Sequence, residues 1–140
     1  MRKFLGSVFC AISLMAMPQD AEHTPEQIAK NIEIEISAHL PKKIDEHITF
    51  KNIKAFGSKI TYSYEIHDTA SVKFSQFSWQ KIDDMKKTYH ERVLKSACEK
   101  EDTRAILNTG VVMEYRYTLD SGKFFFQFSL SKDECEKSGL

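Results

Sequence analysis

The sequence predicts an α+β domain in which a four-stranded antiparallel sheet, built of two hairpins, carries helices packed on one face. Three patterns lead there. Residues 48–66 and 111–130 each alternate apolar and polar side chains around a turn. Segments with helical spacing of apolar residues fall before the first block and between the two. Each of the four alternating runs has a single apolar stripe, so one sheet with helices on one side buries them all. The resulting order is α-ββ-αα-ββ.

The elements follow in turn. Thr24-Pro25-Glu26-Gln27 is a helix start, with a threonine cap, proline at the first helical position and glutamine three residues after the cap. The helix runs to about His39, and Ile28, Ile32, Ile36 and Leu40 form its stripe. Ile32 to Ile36 also alternates as a strand would, but the cap and the length favour helix. Ile48 and Phe50 share a phase. After Gly57-Ser58, Ile60, Tyr62, Tyr64 and Ile66 alternate with Thr61, Ser63, Glu65 and His67. The stretch 50–56 is less regular and reads as an edge or a bulge. Phe74, Phe77 and Trp79 open the longest helix, whose inward stripe is Ile82, Met85, Tyr89 and Val93 and which ends near Cys98. A short helix from Thr103 to Leu107, capped by Asp102, stops near Gly110. Val111, Met113, Tyr115, Tyr117 and Leu119 then point one way, and Asp120-Ser121-Gly122 makes the turn. Phe124, Phe126, Phe128 and Leu130 return on the same face.

The N-terminal segment has the three parts of a secretory signal: basic Arg2 and Lys3, an apolar run from Phe4 to Met17, and small residues near a cleavage point after Ala16 or after Ala21, with Ala21 as the working boundary. The run is shorter than the roughly 20 residues needed to cross a bilayer, which argues against a retained anchor. Cys10 lies within the run behind Val8-Phe9 and is poorly placed for lipidation. The expected organisation is thus a signal peptide over residues 1–21 and a single domain over 22–140. Removing the signal takes away two basic residues and one acidic one, which moves the balance of 20 against 20 to a net charge of −1. Such a chain has no electrostatic attraction to nucleic acid or anionic lipid. Cys10 leaves with the signal, so Cys98 and Cys135 have one possible intramolecular pairing. In an oxidising compartment they are expected to join; the alternative is two buried thiols.

Leu40-Pro41 followed by Ile44-Asp45, then Tyr62-Ser63-Tyr64, Cys98, Gly110 with Tyr115-Arg116-Tyr117, Gly122 and Cys135, form a layout. It resembles a loose class of small exported bacterial proteins with no assigned activity. The resemblance spans most of the mature chain. It implies the fold and the compartment, and it carries over no functional residue.

Candidate chemistry is sparse. The five histidines, His23, His39, His47, His67 and His90, are scattered, so no metal site is expected. His90-Glu91 begins like a zinc-protease helix, but Leu94 stands where the second histidine belongs. His67-Asp68 is an adjacent base and carboxylate, with no serine selected by spacing and no G-x-S-x-G elbow. Glu33 with Glu35, and Asp83 with Asp84, are carboxylate pairs on solvated helix faces. There is no glycine-rich phosphate cradle, and no cofactor is expected. Val112 and Phe125 point away from the core-facing stripe of the last hairpin and mark a candidate partner surface on the open sheet face, unless the loop around residues 69–74 or the N-terminal helix covers them, the more ordinary reading. The expected function is a non-enzymatic binding or accessory protein of the bacterial envelope, of inhibitor, immunity or assembly-factor type. It would be periplasmic or secreted, partnered by another envelope or secreted protein, without stable membrane insertion after signal cleavage. A secreted effector or virulence-associated protein and a small envelope hydrolase using His67 and Asp68 are the alternatives.

Overall fold

A computed structural model describes residues 23–140; the expected signal segment lies outside the described residues. Helix α1 (Pro25–Ser37) begins at Thr24, whose Oγ1 accepts the Gln27 N–H at 3.1 Å. Five strands follow: β1 (Lys42–Lys43), β2 (Ile48–Phe56), β3 (Lys59–Ile66), β4 (Val112–Leu119) and β5 (Phe124–Leu130). Between β3 and β4 lie a 3₁₀ turn (Phe74–Gln76), α2 (Trp79–Glu99) and α3 (Glu101–Asn108), and α4 (Lys132–Lys137) follows β5. Among the described residues no helix is long and apolar enough to cross a membrane.

The sheet corrects the expected four antiparallel strands. It has five strands in the order β1-β2-β3-β4-β5, and β3 and β4 run parallel. Two causes account for the difference. Lys42–Lys43 is a strand of two lysines with no apolar alternation to reveal it. The parallel pair follows from the connection: the 21 residues of α2 span roughly 32 Å, enough to carry the chain back along the sheet. Val112 consequently starts beside Lys59, and Leu119 ends beside Ile66.

The helices cover one face of this sheet. Ile60 and Ile66 of β3, Met113, Tyr117 and Leu119 of β4, and Phe126, Phe128 and Leu130 of β5 are buried beneath them. At one end Ala29, Ile53, Ala97, Leu107 and Val111 join this core; at the other, Phe74 and Phe125 do. α3 turns out of its last turn at Gly110, whose φ of +107° suits glycine. An added Cβ there would also lie 3.4 Å from Pro25, the first residue of α1. The opposite face carries Thr61, Ser63, Glu65, Glu114, Arg116 and Gln127, and among the described residues no helix lies over it.

Cys98, near the end of α2, is bonded to Cys135 in α4, with Cα atoms 5.6 Å apart. Both are buried at the junction of α2, α3 and β5.

Glu33 closes the β2 edge that β1 is too short to cover. Its carboxylate accepts from Lys30 Nζ at 2.6 Å and from the Ala55 N–H at 3.3 Å, with Lys54 at 3.9 Å. The bond from Lys30, then that from Ala55, hold its carboxyl below the usual carboxylate range. A depressed folded pKa stabilises above the unfolded value and is lost as pH falls through the folded one. Hydrogen exchange at the Ala55 amide is therefore expected to lose protection at acidic pH, and to be weakly protected at all pH in Glu33→Ala, which removes the acceptor. Equal protection in both proteins at neutral pH would remove Glu33 from this role.

Candidate functional site

Aromatic residues line the helix-covered face of β3 and β4 in a continuous row. Phe50 stacks on Tyr64 at 4.8 Å, Tyr64 on Tyr117 at 4.9 Å, Tyr62 on Tyr115 at 4.9 Å and Tyr115 on Phe128 at 5.3 Å. Strand register causes this, because Tyr62 is paired with Tyr115 and Tyr64 with Tyr117 across the parallel ladder. α1 packs over β2 and α2 over β5, and between them the row forms the floor of a groove.

At one end of the groove, a cavity of about 290 Å³ is lined by Ile44, Asp45, Tyr64, Tyr89, Tyr115 and Tyr117. At the other, a cavity of about 370 Å³ is lined by Ser96, Ala97, Lys100 and Thr103. Arg92, Val93 and Tyr115 belong to both cavities and join them. All five tyrosines of the chain meet here: four line the first cavity, and Tyr62 stacks on Tyr115.

The groove is uncharged at its floor and polar at its rim. Burial pushes the Tyr62 phenol up to about 12. Burial, then neighbouring tyrosines, pushes Tyr64, Tyr115 and Tyr117 well above the ordinary phenol range. Tyr89 is raised by burial and then by Asp45. These groups stay protonated and present O–H donors on apolar rings. Tyr115 donates to Met113 Sδ at 3.9 Å. Among the described residues, the buried side-chain polar atoms without a partner are His47 Nδ1 and Arg104 Nε. The hydroxyls of Tyr62, Tyr64, Tyr89 and Tyr117 are thus left to water or to a ligand. Arg92 lies over the Tyr89 ring at 5.5 Å, and Asp45 stands across from it.

Solved structures share this fold. A Pseudomonas aeruginosa protein classed as secreted superposes with a TM-score of 0.65 at 13% identity, covering 79% of this chain and 92% of its own. The pilotin EpsS of the Vibrio vulnificus type 2 secretion system gives 0.62 at 16%, over 79% and 91%. The type II secretion system pilotin AspS of Vibrio cholerae gives 0.60 at 19%, over 86% and 98%. No protein-family model and no curated protein matches the sequence.

His67 and Asp68, the candidate catalytic pair, take different partners. Asp68 accepts from the Ser75 N–H at 3.1 Å and from the Ser75 hydroxyl, which fixes the loop before the 3₁₀ turn. His67 lies near Thr49 Oγ1 (3.1 Å), Asp120 (3.4 Å) and Glu65 (3.5 Å), tying the end of β3 to the last hairpin. Neither groove cavity is lined by His67 or Asp68. His90 stacks on Phe128 at 4.8 Å and reaches Glu134 at 3.1 Å, joining α2 to β5 and α4. Among the described residues, no three His, Cys, Asp or Glu groups are placed to hold a metal ion. Glu33 serves the β2 edge, Glu35 is exposed, and Asp83 pairs with Lys87 at 3.6 Å, with Asp84 beside it in α2.

Val112 is half-buried on the open sheet face. Phe125 lies elsewhere than alternation places it, because the β4–β5 register slips between Tyr117 and Thr118. The extra residue is Phe125, which turns inward to 6% exposure against Phe74 and Phe77. Phe124 takes the open face instead, 48% exposed beneath Arg116. The tyrosine groove itself escaped the sequence reading, since Tyr62, Tyr64, Tyr115 and Tyr117 count simply as core stripe. The available signal was the choice of residue: hydroxyl-bearing rings on the two central strands, phenylalanines on β5.

Proposed function

We propose that this protein is an exported, non-enzymatic accessory factor of the bacterial envelope that holds a segment of another envelope protein in the tyrosine groove. The observation that carries the reading is the convergence of all five tyrosines on one open groove, with the hydroxyls of Tyr62, Tyr64, Tyr89 and Tyr117 unclaimed among the described residues. Tyrosine-rich concave surfaces bind protein segments well: the rings supply apolar area at small entropic cost, and the hydroxyls supply hydrogen bonds. The sequence adds a secretory signal over residues 1–21, to be cleaved before folding in the periplasm or beyond, and the disulfide fits an oxidising compartment. The fold shared with two pilotins favours a component of a secretion assembly as the partner.

Two rim variants test this without disturbing the core. Arg92→Glu reverses the charge above Tyr89, and Ser96→Trp fills the groove from an exposed position. Each is expected to lower recovery of the envelope partner by about tenfold with an unchanged melting temperature. Undiminished recovery with both variants would remove the groove from the account.

A further inference from the structure

An open strand edge presents unpaired main-chain groups, and proteins ordinarily blunt it. The two edges of this sheet differ. One ends in the two-lysine strand β1, and Glu33 takes the exposed Ala55 N–H beside it. The other edge is β5, which among the described residues pairs with β4 alone. Val112 N–H donates to Ser58 O at 3.0 Å and Asp120 N–H to Ile66 O at 3.1 Å, so the even-numbered residues of β4 direct their main chain at β3. Met113, Tyr115 and Tyr117 then bond Leu130, Phe128 and Phe126. The N–H and C=O groups of Gln127 and Ser129 are left directed outward.

Beside this edge lies a third cavity, about 210 Å³, between α2 and β5. It is lined by the apolar Trp79, Ile82, Phe125 and Phe126, and by Lys86 and the Lys87-paired Asp83. Trp79 is 78% exposed. A helix set alongside a free strand edge receives extended peptides by strand addition: the main chain gives affinity, and alternate side chains fill the pocket. Charge narrows the occupant. Lys59 pairs with Glu114 at 3.6 Å and Lys87 with Asp83 at 3.6 Å. Lys86, Arg116 and Lys123, around the β5 edge, have no carboxylate partner among the described residues. Arg116 instead donates to Gln127 Oε1 at 3.2 Å and lies over the Phe124 ring at 5.1 Å.

We propose that β5 is a strand-addition site for an extended segment of a partner protein in which apolar and acidic residues alternate. Its apolar residues enter the cavity under Trp79, and its acidic residues meet Arg116 on the other face of the sheet. The site lies across α2 from the tyrosine groove and stands independently of it.

Trp79 is the single tryptophan of the chain and reports directly on occupancy. The full mature protein is titrated with three capped hexapeptides: alternating Val and Glu, alternating Val and Lys, and the Val/Glu peptide N-methylated on alternate amides. The Val/Glu peptide is expected to shift Trp79 emission saturably, the Val/Lys peptide to bind at least about tenfold more weakly, and the N-methylated peptide to lose binding. Ser129→Pro, which removes an outward N–H without touching the β4 bonds, is expected to abolish the response. Arg116→Glu, on an exposed side chain, reverses the preference between Val/Glu and Val/Lys even if Ser129→Pro fails to fold. No saturable response to Val/Glu, or an equal response to Val/Lys, overturns the proposal. So does a dimer of the protein alone in sedimentation that Ser129→Pro converts to monomer, because the occupant would then be a second copy.

Discussion

Replacing both Cys98 and Cys135 by serine is expected to lower the melting temperature by roughly 15 °C. The bridge spans a sequence separation of 37 residues, and closing such a loop constrains the unfolded chain by about 4 kcal/mol. A domain of this size loses roughly 4 °C per kcal/mol. The effect is large because of what the bridge joins. α4 is a short helix at the end of the chain, and Cys135 is its buried residue. Besides this link, α4 packs against α2 and α3 and makes the His90–Glu134 contact, and Leu140, beyond its end, accepts from Arg104 at 2.9 Å. Reductant should bring the wild type down to the melting temperature of the double variant and leave the variant unmoved. A wild type indifferent to reductant would show that the pair contributes nothing to the folded state.

Phe128→Ala is expected to cost about 3–5 kcal/mol in urea denaturation. Phe128 is 5% exposed and lies between His90 of α2 and Tyr115 of the groove floor, stacked on both. Truncation opens a cavity at the point where α2 rests on the sheet, and neighbours in a twisted sheet cannot close it without moving the tyrosine row. Partner binding should therefore fall with stability in this variant, in contrast to the rim substitutions. Phe124→Ala, four residues earlier on an exposed ring, is expected to cost less than about 0.5 kcal/mol. Similar costs at the two positions would contradict the burial described for β5.

Much of the fold is legible in the sequence, and the parts that are not share a cause. Thr24-Pro25 marks the start of α1, and the alternation from Ile60 to Ile66 and from Met113 to Leu119 marks two strands with their buried faces. Local pattern carries this information. Relative strand direction is not local: the hairpins look alike whether they meet parallel or antiparallel, and the length of α2 decides it. Lys42–Lys43 is paired through its main chain, to which side-chain pattern is blind. At Phe125 one extra residue exchanges the faces of two adjacent phenylalanines. The groove shows the same limit: five tyrosines scattered over three elements become a site only when register aligns them.

The most direct test of that site is photocrosslinking in cells of the source bacterium. A benzoylphenylalanine is placed at Ser96, on the groove, or at Ser63, on the opposite sheet face. A discrete adduct with one envelope protein from Ser96, absent from Ser63 and lost when Arg92→Glu is added, is the predicted result. An adduct from Ser63 alone, or the same adduct from both faces, would contradict a partner held among the tyrosines.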